Sequence, residues 1–291
     1  MRTPNGNPVR TGVLLAATTA LALGLVACGT DSDPDTGGDN GDQADASAPL
    51  TVAANPVPHA QILEFVRDNL AEDAGLNLEV REFSDYVLPN TAVESGEVDA
   101  NYFQHKPYLD QFNADQGTDI VPVINVHLEP LGLYSNSITD PGELGEGSTI
   151  AIPNDATNEG RALHLLAENG LIELNEGVGA EATLNDIADD HGITFQELEA
   201  ATLPRALEDV DAAIINGNYA LEADLAPAED AIVLEAAEGN PYANFLAVRA
   251  GNEDDPRVQT LAELLNSDEV RQFIEDEYDG SVVPAFGTPA S

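Results

Sequence analysis

The sequence predicts an α/β protein of two lobes with a ligand cleft between them. Three observations point there. A strand-helix-strand unit opens the folded part, the same alternation restarts after Leu131, and a late strand near Asn244–Val248 returns after the second block is complete.

Leu50-Thr51-Val52-Ala53-Ala54 reads as a first buried strand. Asn55-Pro56-Val57-Pro58 is a loop. His59–Leu70 then carries Ile62, Leu63, Phe65, Val66 and Leu70 at the spacing of one helical face. Gly75 closes that helix, and Leu76–Phe83 alternates as a strand with Leu76, Leu78 and Val80 on one side. Such a unit favours parallel pairing of its two strands. Lys106–Gln116 reads as a helix, followed by strands at Ile120–His127 and Leu131–Tyr134. The second block runs through a strand at Thr149–Ile152, a helix at Asn158–Asn169 closed by Gly170, and a strand at Thr194–Leu198. A short helix at Pro204–Asp209 and strands at Ala212–Ile215 and Ile232–Leu234 complete it. After the return strand, helices at Pro256–Asn266 and Ser267–Tyr278 finish the chain. The expected division is one lobe from about 49–130 with 236–291 and another from about 131–235. Clefts between lobes are preferred ligand sites.

Residues 1–27 read as a secretory signal peptide. Arg2 and Arg10 precede any acid, and the apolar run Gly12–Ala27 ends in Leu25-Val26-Ala27-Cys28. At a rise of ~1.5 Å per residue the run spans roughly 24 Å, short of a bilayer core of about 30 Å. Cys28 is the only cysteine, so it cannot close a disulfide within the chain. Leu-Val-Ala-Cys resembles the lipobox of bacterial lipoproteins, which implies cleavage before Cys28 and its lipidation, with palmitate among the acyl chains. Two or more chains hold a protein stably at a membrane. Residues 28–48 are rich in Asp, Gly, Ser, Asn and Pro and bury too little apolar surface to offset the entropy of ordering. They read as a tether with a reach of about 25 Å.

The chain carries 53 acidic and 10 basic residues, a net charge of −43, and Lys106 is its one lysine. A surface of that sign does not attract nucleic acid or anionic lipid. The acids are spread along the whole chain, which reads as halophilic adaptation: self-repulsion is screened when the Debye length falls to ~3 Å at 1 M salt.

Three stretches carry a resemblance. They are Phe83-Ser84-Asp85-Tyr86-Val87-Leu88-Pro89-Asn90, then Asp99-Ala100-Asn101-Tyr102-Phe103-Gln104-His105-Lys106-Pro107-Tyr108-Leu109, then Ile152-Pro153-Asn154-Asp155-Ala156-Thr157-Asn158-Glu159-Gly160-Arg161-Ala162-Leu163. Leu203-Pro204-Arg205, Ile215-Asn216-Gly217-Asn218-Tyr219-Ala220 and Pro241-Tyr242-Ala243-Asn244 follow in order. The set resembles the NlpA family of methionine-binding lipoproteins from about Leu50 onward. The resemblance implies a two-lobed, periplasmic-binding-protein-like fold of type II. It also implies a substrate-binding protein, not an enzyme, that captures methionine, the L form first, and serves the permease and ATPase subunits of an ABC importer. Its expected place is the extracytoplasmic face of the cell membrane, held by lipid, with no cofactor. Another amino acid, a short peptide or a metal ion is the alternative cargo.

The residues themselves fit a free amino acid. Arg161, expected in the first turn of a helix that Thr157 or Asn158 could cap, is suited to a carboxylate, which a guanidinium binds bidentately and a helix N-terminus favours. The competing reading pairs Arg161 with a nearby acid such as Glu159. Tyr86, Phe103 and Tyr108 can wall a thioether, with His105 as a polar edge, since sulfur–ring contacts contribute about 0.3–1.5 kcal/mol each. An ordinary aromatic core is the competing reading. Tyr102 and Phe103 alternate, so one of them faces the cleft, and the family motif points to Phe103. Asn216 and Asn244 sit at strand ends, where open α/β lobes bind ligands, and each amide can accept from an ammonium or donate to a carboxylate. Turn chemistry competes there, above all for Asn216 before Gly217. The resemblance supports both and adds Asn158.

Metal capture through His59, His105 and His127 is a rival, but the sequence shows neither a His-x-His nor a pair one helical turn apart, so no metal site is assigned. Catalysis is a second rival. Gly-x-Ser-x-Gly, His-Glu-x-x-His and Gly-Lys-Ser/Thr are absent, and no catalytic residue is assigned. A cell-surface lipoprotein without a ligand is the third.

Overall fold

The strand-forming runs separate into two sheets in the computed structural model, which describes residues 48–289. In chain order the strands are β1 (Leu50–Ala54), β2 (Leu78–Glu82), β3 (Ala100–His105), β4 (Ile120–Leu128), β5 (Gly132–Tyr134), β6 (Thr149–Pro153), β7 (Glu173–Leu174), β8 (Ile187–Asp189), β9 (Thr194–Leu198), β10 (Ala212–Ile215), β11 (Val233–Leu234), β12 (Asn244–Arg249) and β13 (Val283–Gly287). The helices are α1 (Gln61–Asn69), α2 (Leu88–Ser95), α3 (Lys106–Gln116), α4 (Ala156–Glu168), α5 (Leu203–Ala206), α6 (Gly217–Glu222), α7 (Pro227–Asp230), α8 (Pro256–Leu265) and α9 (Asp268–Tyr278). Cys28, the signal segment and nearly all of the tether lie outside the described residues. Among the described residues no helix is long and apolar enough to cross a membrane.

The first sheet has the order β13-β4-β12-β3-β1-β2 and the second β11-β5-β10-β6-β9, with β7 and β8 as a separate pair. β1 runs parallel to β2 and β3, in the register Leu50↔Leu78. The return strand β12 lies antiparallel between β3 and β4, inside the first sheet. Its continuous apolar run, Phe245-Leu246-Ala247-Val248, follows from that place, because both faces of the strand are covered. Alternation sorts the core. Val52 and Ala54 meet Ile62, Leu63 and Val66 of α1 and Leu261 and Ile274 of α8 and α9, while Ala53 and Phe245 face Val93, Leu109 and Phe112. In the second sheet Ile150, Ile152 and Ile214 pack on Leu163 and Leu166 of α4, and Ala151, Ala213 and Ile215 pack on Leu203 and Tyr219.

Two helix starts differ from the sequence reading. The helix expected from His59 begins at Gln61, because Pro56 and Pro58 lack N–H groups and restrict the residues before them, leaving an irregular turn over Pro56–Ala60. The helix expected from Asn158 begins at Ala156 and is capped by Asp155, whose carboxylate accepts from Asn158 N at 3.1 Å. Neither Thr157 nor Asn158 is the cap, and Arg161 sits beyond the first turn. α2, α6 and β13 are too short or too irregular to announce themselves by periodicity.

Candidate functional site

Tyr86, Phe103, His105, Tyr108, Asn158, Arg161, Asn216 and Asn244 all line one cavity, together with Gln104, Glu129, Gly217 and Asn218. The first sheet supplies Phe103 and His105 from the end of β3, Tyr108 from α3, and Tyr86 from the loop after β2. The second supplies Asn158 and Arg161 from α4 and the Asn216–Asn218 junction between β10 and α6. Glu129, just after β4, and Asn244, at the start of β12, stand where the chain passes between the sheets.

The aromatic wall is held from behind. Ring centroids lie 6.0 Å apart for Tyr86 and Phe103, 5.7 Å for Tyr86 and Tyr108, and 6.0 Å for Phe103 and Tyr108. The Tyr108 hydroxyl donates to Tyr86 O at 3.0 Å, and the Tyr86 hydroxyl donates to Asn218 Oδ1 at 2.6 Å. Strand alternation brings Phe103 and His105 to the cavity and leaves Tyr102 in the core on the other face. His105 caps α3, its Nδ1 accepting from Tyr108 N at 3.2 Å. Its Nε2 therefore bears the proton and donates to Asn158 Oδ1 at 3.3 Å. Burial, with the Arg161 charge adding, lowers the His105 pKa to about 3, so the ring is a neutral, fixed surface at physiological pH.

On the opposite side a relay of amides sets its own polarity. Asp155 can only accept, so Asn158 presents Nδ2 to it, at 2.9 and 3.1 Å, and Oδ1 to its other neighbours. That oxygen accepts from His105 and, at 3.0 Å, from Asn216 Nδ2. The Asn158 amide is thus committed to protein. Asn216 in turn is oriented with Oδ1 free, and among the described residues this buried oxygen has no hydrogen-bond partner. Asn218 Nδ2 is also buried without one.

Arg161 is buried, and its partner is Glu235 rather than Glu159. Nε donates to Glu235 Oε1 at 3.0 Å, Nη2 donates to Glu235 Oε2, and Nη2 also reaches Glu129 O at 2.9 Å. Glu159 accepts instead from Leu184 N at 3.0 Å. Tyr242 covers the guanidinium face, 4.2 Å from ring centroid to Cζ. Burial pushes the Glu235 carboxyl up, but the Arg161 hydrogen bonds and charge outweigh it and hold the group below its ordinary value. Among the described residues Nη1 makes no hydrogen bond, which leaves one edge of the cation for the cavity.

Glu129 reaches the cavity because residue 217 is glycine. A methyl group there would stand 2.7 Å from Glu129 Cβ. Glu129 Oε1 lies 2.7 Å from His127 Nε2 and 3.1 Å from His59 Nε2, and His59 Nε2 also meets Asn244 Oδ1 at 3.0 Å. Both acceptors require a proton on His59 Nε2, so Asn244 turns its Nδ2 away from His59. That nitrogen donates to Tyr242 O at 3.3 Å and keeps a second N–H. His59, His127 and Glu129 also form the one group among the described residues whose ligating atoms could together hold a metal ion, all within 4.8 Å of one another.

The profile of the family described as NlpA lipoprotein matches residues 50–286. The chain belongs to the NlpA lipoprotein family. The methionine-binding lipoprotein MetQ of Bacillus subtilis is 39% identical over 266 residues, 89% of this chain and 93% of the relative. A nutrient-binding protein of Burkholderia cenocepacia, solved bound to methionine, is 44% identical with a TM-score of 0.79, covering 81% of this chain and 100% of its own. A periplasmic substrate-binding protein of an ABC transporter from Coxiella burnetii is 39% identical with a TM-score of 0.78, covering 81% and 100%. The α/β fold in two sheets agrees with these NlpA-like neighbours.

Gln104, Glu129, Gly217 and Asn218 join the cavity without having been singled out from the sequence. Gln104 is tied to Asn90 and Asn101. Gln104, Gly217 and Asn218 lie inside stretches that carry the family resemblance. Glu129 was hidden among 53 acids, and its one signal is the pattern His127-x-Glu129 closing an apolar strand.

Proposed function

We propose that this chain captures free methionine, the L form, between its two lobes and delivers it to the permease and ATPase subunits of an ABC importer. The lobes are taken as about 49–130 with 236–291 and about 131–235. The observation that carries this reading is the division of the cavity. It offers a cation edge at Arg161 Nη1 with an N–H of Asn244, a carboxylate at Glu129 with the unpartnered Asn216 Oδ1, and an aromatic wall. Those three parts fit a carboxylate, an ammonium and a thioether in turn. The methionine named for the Bacillus and Burkholderia relatives supports the same ligand. Lipidation at Cys28 would hold the protein at the extracytoplasmic face, and Cys28→Ser is expected to release it from the membrane or leave it uncleaved.

Calorimetric titration of the full chain in high-salt buffer tests the ligand. Methionine is expected to bind, with alanine, N-acetylmethionine and methionine methyl ester each weaker, the last two by about 30-fold or more. Equal binding of all four, or heat from none, sinks the reading. D-methionine in the same series tests the stereochemistry.

A further inference from the structure

We infer that His59 and His127 are positioning residues that hold Glu129 as an acceptor for the ligand's ammonium, with Tyr102 fixing the tautomer of His127. The inference rests on the reading of Glu129 as the ammonium's partner.

The network dictates its own protons. Burial pushes the Glu129 pKa up, and a ligand ammonium beside it favours the ionised form; a carboxylate only accepts, so His127 Nε2, 2.7 Å from Glu129 Oε1, then carries hydrogen. In a neutral imidazole the other nitrogen is then bare. His127 Nδ1 faces the Tyr102 hydroxyl, which donates to it. His59 Nε2 carries hydrogen too, because it faces both Glu129 Oε1 and Asn244 Oδ1. Burial lowers the pKa of His59 to about 4 and that of His127 to about 3, so both rings stay neutral near pH 7. Neutral donors have a particular consequence. They satisfy one oxygen of Glu129 without cancelling its charge, whereas a lysine or arginine there would leave nothing for a ligand cation to compensate. The same His59 N–H turns the Asn244 amide so that its nitrogen remains for the ligand carboxylate. Two imidazoles thus set which end of a zwitterion goes where. His59, His127 and Tyr102 are buried and do not line the cavity, whereas Glu129 and Asn244, which His59 meets, do.

The test compares methionine with its 2-hydroxy analogue, which replaces the ammonium by a neutral hydroxyl and keeps carboxylate and thioether. Calorimetry on the full chain is expected to give a wild-type preference for methionine of about 30-fold or more. His59→Leu is expected to cut that preference about tenfold and to leave affinity for the hydroxy analogue within about threefold. His59→Gln keeps an N–H near the Nε2 position and is expected to restore most of the preference. Tyr102→Phe, which removes one hydroxyl, lowers it in part and keeps the test open if His59→Leu does not fold. A wild-type protein that binds methionine without preferring it to the hydroxy analogue removes the Glu129 reading and this inference with it. A preference kept in His59→Leu and Tyr102→Phe overturns the inference alone. Equal losses for both ligands also overturn it, since they mark a merely structural role. One zinc equivalent retained by the purified wild-type chain and lost in His59→Leu overturns it as well, because a metal would take the positions assigned to the protons.

Discussion

Arg257 and Arg161 are both buried arginines paired with carboxylates, yet their surroundings differ in one respect. Arg257, near the start of α8, spends every nitrogen on protein. Nε donates to Asp255 at 3.2 Å, Nη2 to Asp255 at 2.6 Å and Asp99 at 3.3 Å, and Nη1 to Pro49 O at 2.7 Å. It ties the entry to β1 and the turn before β3 onto the return segment. Arg161 spends Nε and Nη2, lies under the Tyr242 ring, lines the cavity, and among the described residues makes no hydrogen bond through Nη1. Burial of a cation therefore does not mark a ligand site. What sets the Arg161 corner apart is an unspent donor edge beside amide atoms without partners among the described residues.

That difference gives Arg161→Ala the largest expected effect. Methionine affinity should fall about 30-fold to several thousand-fold, the loss for truncating one partner of a buried charge pair. Stability should fall as well, by up to about 3 kcal/mol, because Glu235 is left without its cation. Adding Glu235→Gln should recover part of the stability and none of the affinity, as read by denaturant unfolding beside calorimetry. Arg257→Ala should show the reverse: a stability loss of about 2–3 kcal/mol, discounted because Asp99 is a third exposed, with methionine affinity within about twofold. A binding loss in Arg257→Ala would break the distinction.

Acid should act on both corners in two stages. His59, His105 and His127 have folded pKa values of about 4, 3 and 3 against an ordinary 6.5. Their neutral burial supports the fold fully above pH 6.5, and that support fades as the pH falls toward the folded values, at about 1.4 kcal/mol per pH unit for each ring that stays neutral. Glu235 and Asp255 are held below their ordinary values of 4.5 and 3.8, so their contribution fades only below that range. Burial raises Glu222 to about 7 and pushes Glu129 up, which acts with the opposite sign, so in unfolding free energies from pH 7 to pH 3 the histidine part is the slope lost between pH 6.5 and 5 in His59→Leu, and Arg257→Ala should remove part of the final drop. A slope between pH 6.5 and 5 left unchanged by His59→Leu would contradict the neutral histidines. The smallest expected effect is at the aromatic wall. Phe103→Ala should reduce the preference for methionine over alanine about five- to tenfold, corresponding to roughly 1 kcal/mol of sulfur–ring contact.

The aromatic wall was legible because Tyr86, Phe103, His105 and Tyr108 lie in two contiguous motifs whose strand and helix set their direction. The main strands were legible for a similar reason, since β1, β6 and β10 are short apolar or β-branched runs between turn signals. The polar side was only half legible. Arg161, Asn216 and Asn244 could be chosen by type and motif, but Glu235 lies far from Arg161 in sequence and no local pattern announces their pairing. The meeting of His59 with His127 and Glu129 has the same origin. A proline-broken turn and the end of β4 converge only once β12 is inserted into the sheet, so isolated histidines in the sequence become neighbours in the fold. The cap of α4 is not legible because Asp155, Thr157 and Asn158 are all competent caps by type, and the local sequence does not choose among them.

A crystal structure of the full chain grown with methionine tests the central claim most directly. The account expects the ligand carboxylate within hydrogen-bond reach of Arg161 Nη1 and Asn244 Nδ2, the ammonium at Glu129 and Asn216 Oδ1, and the sulfur against Tyr86, Phe103 and Tyr108. A ligand carboxylate held elsewhere while Arg161 contacts only Glu235 and Glu129 O, or methionine bound outside this cavity, would contradict it.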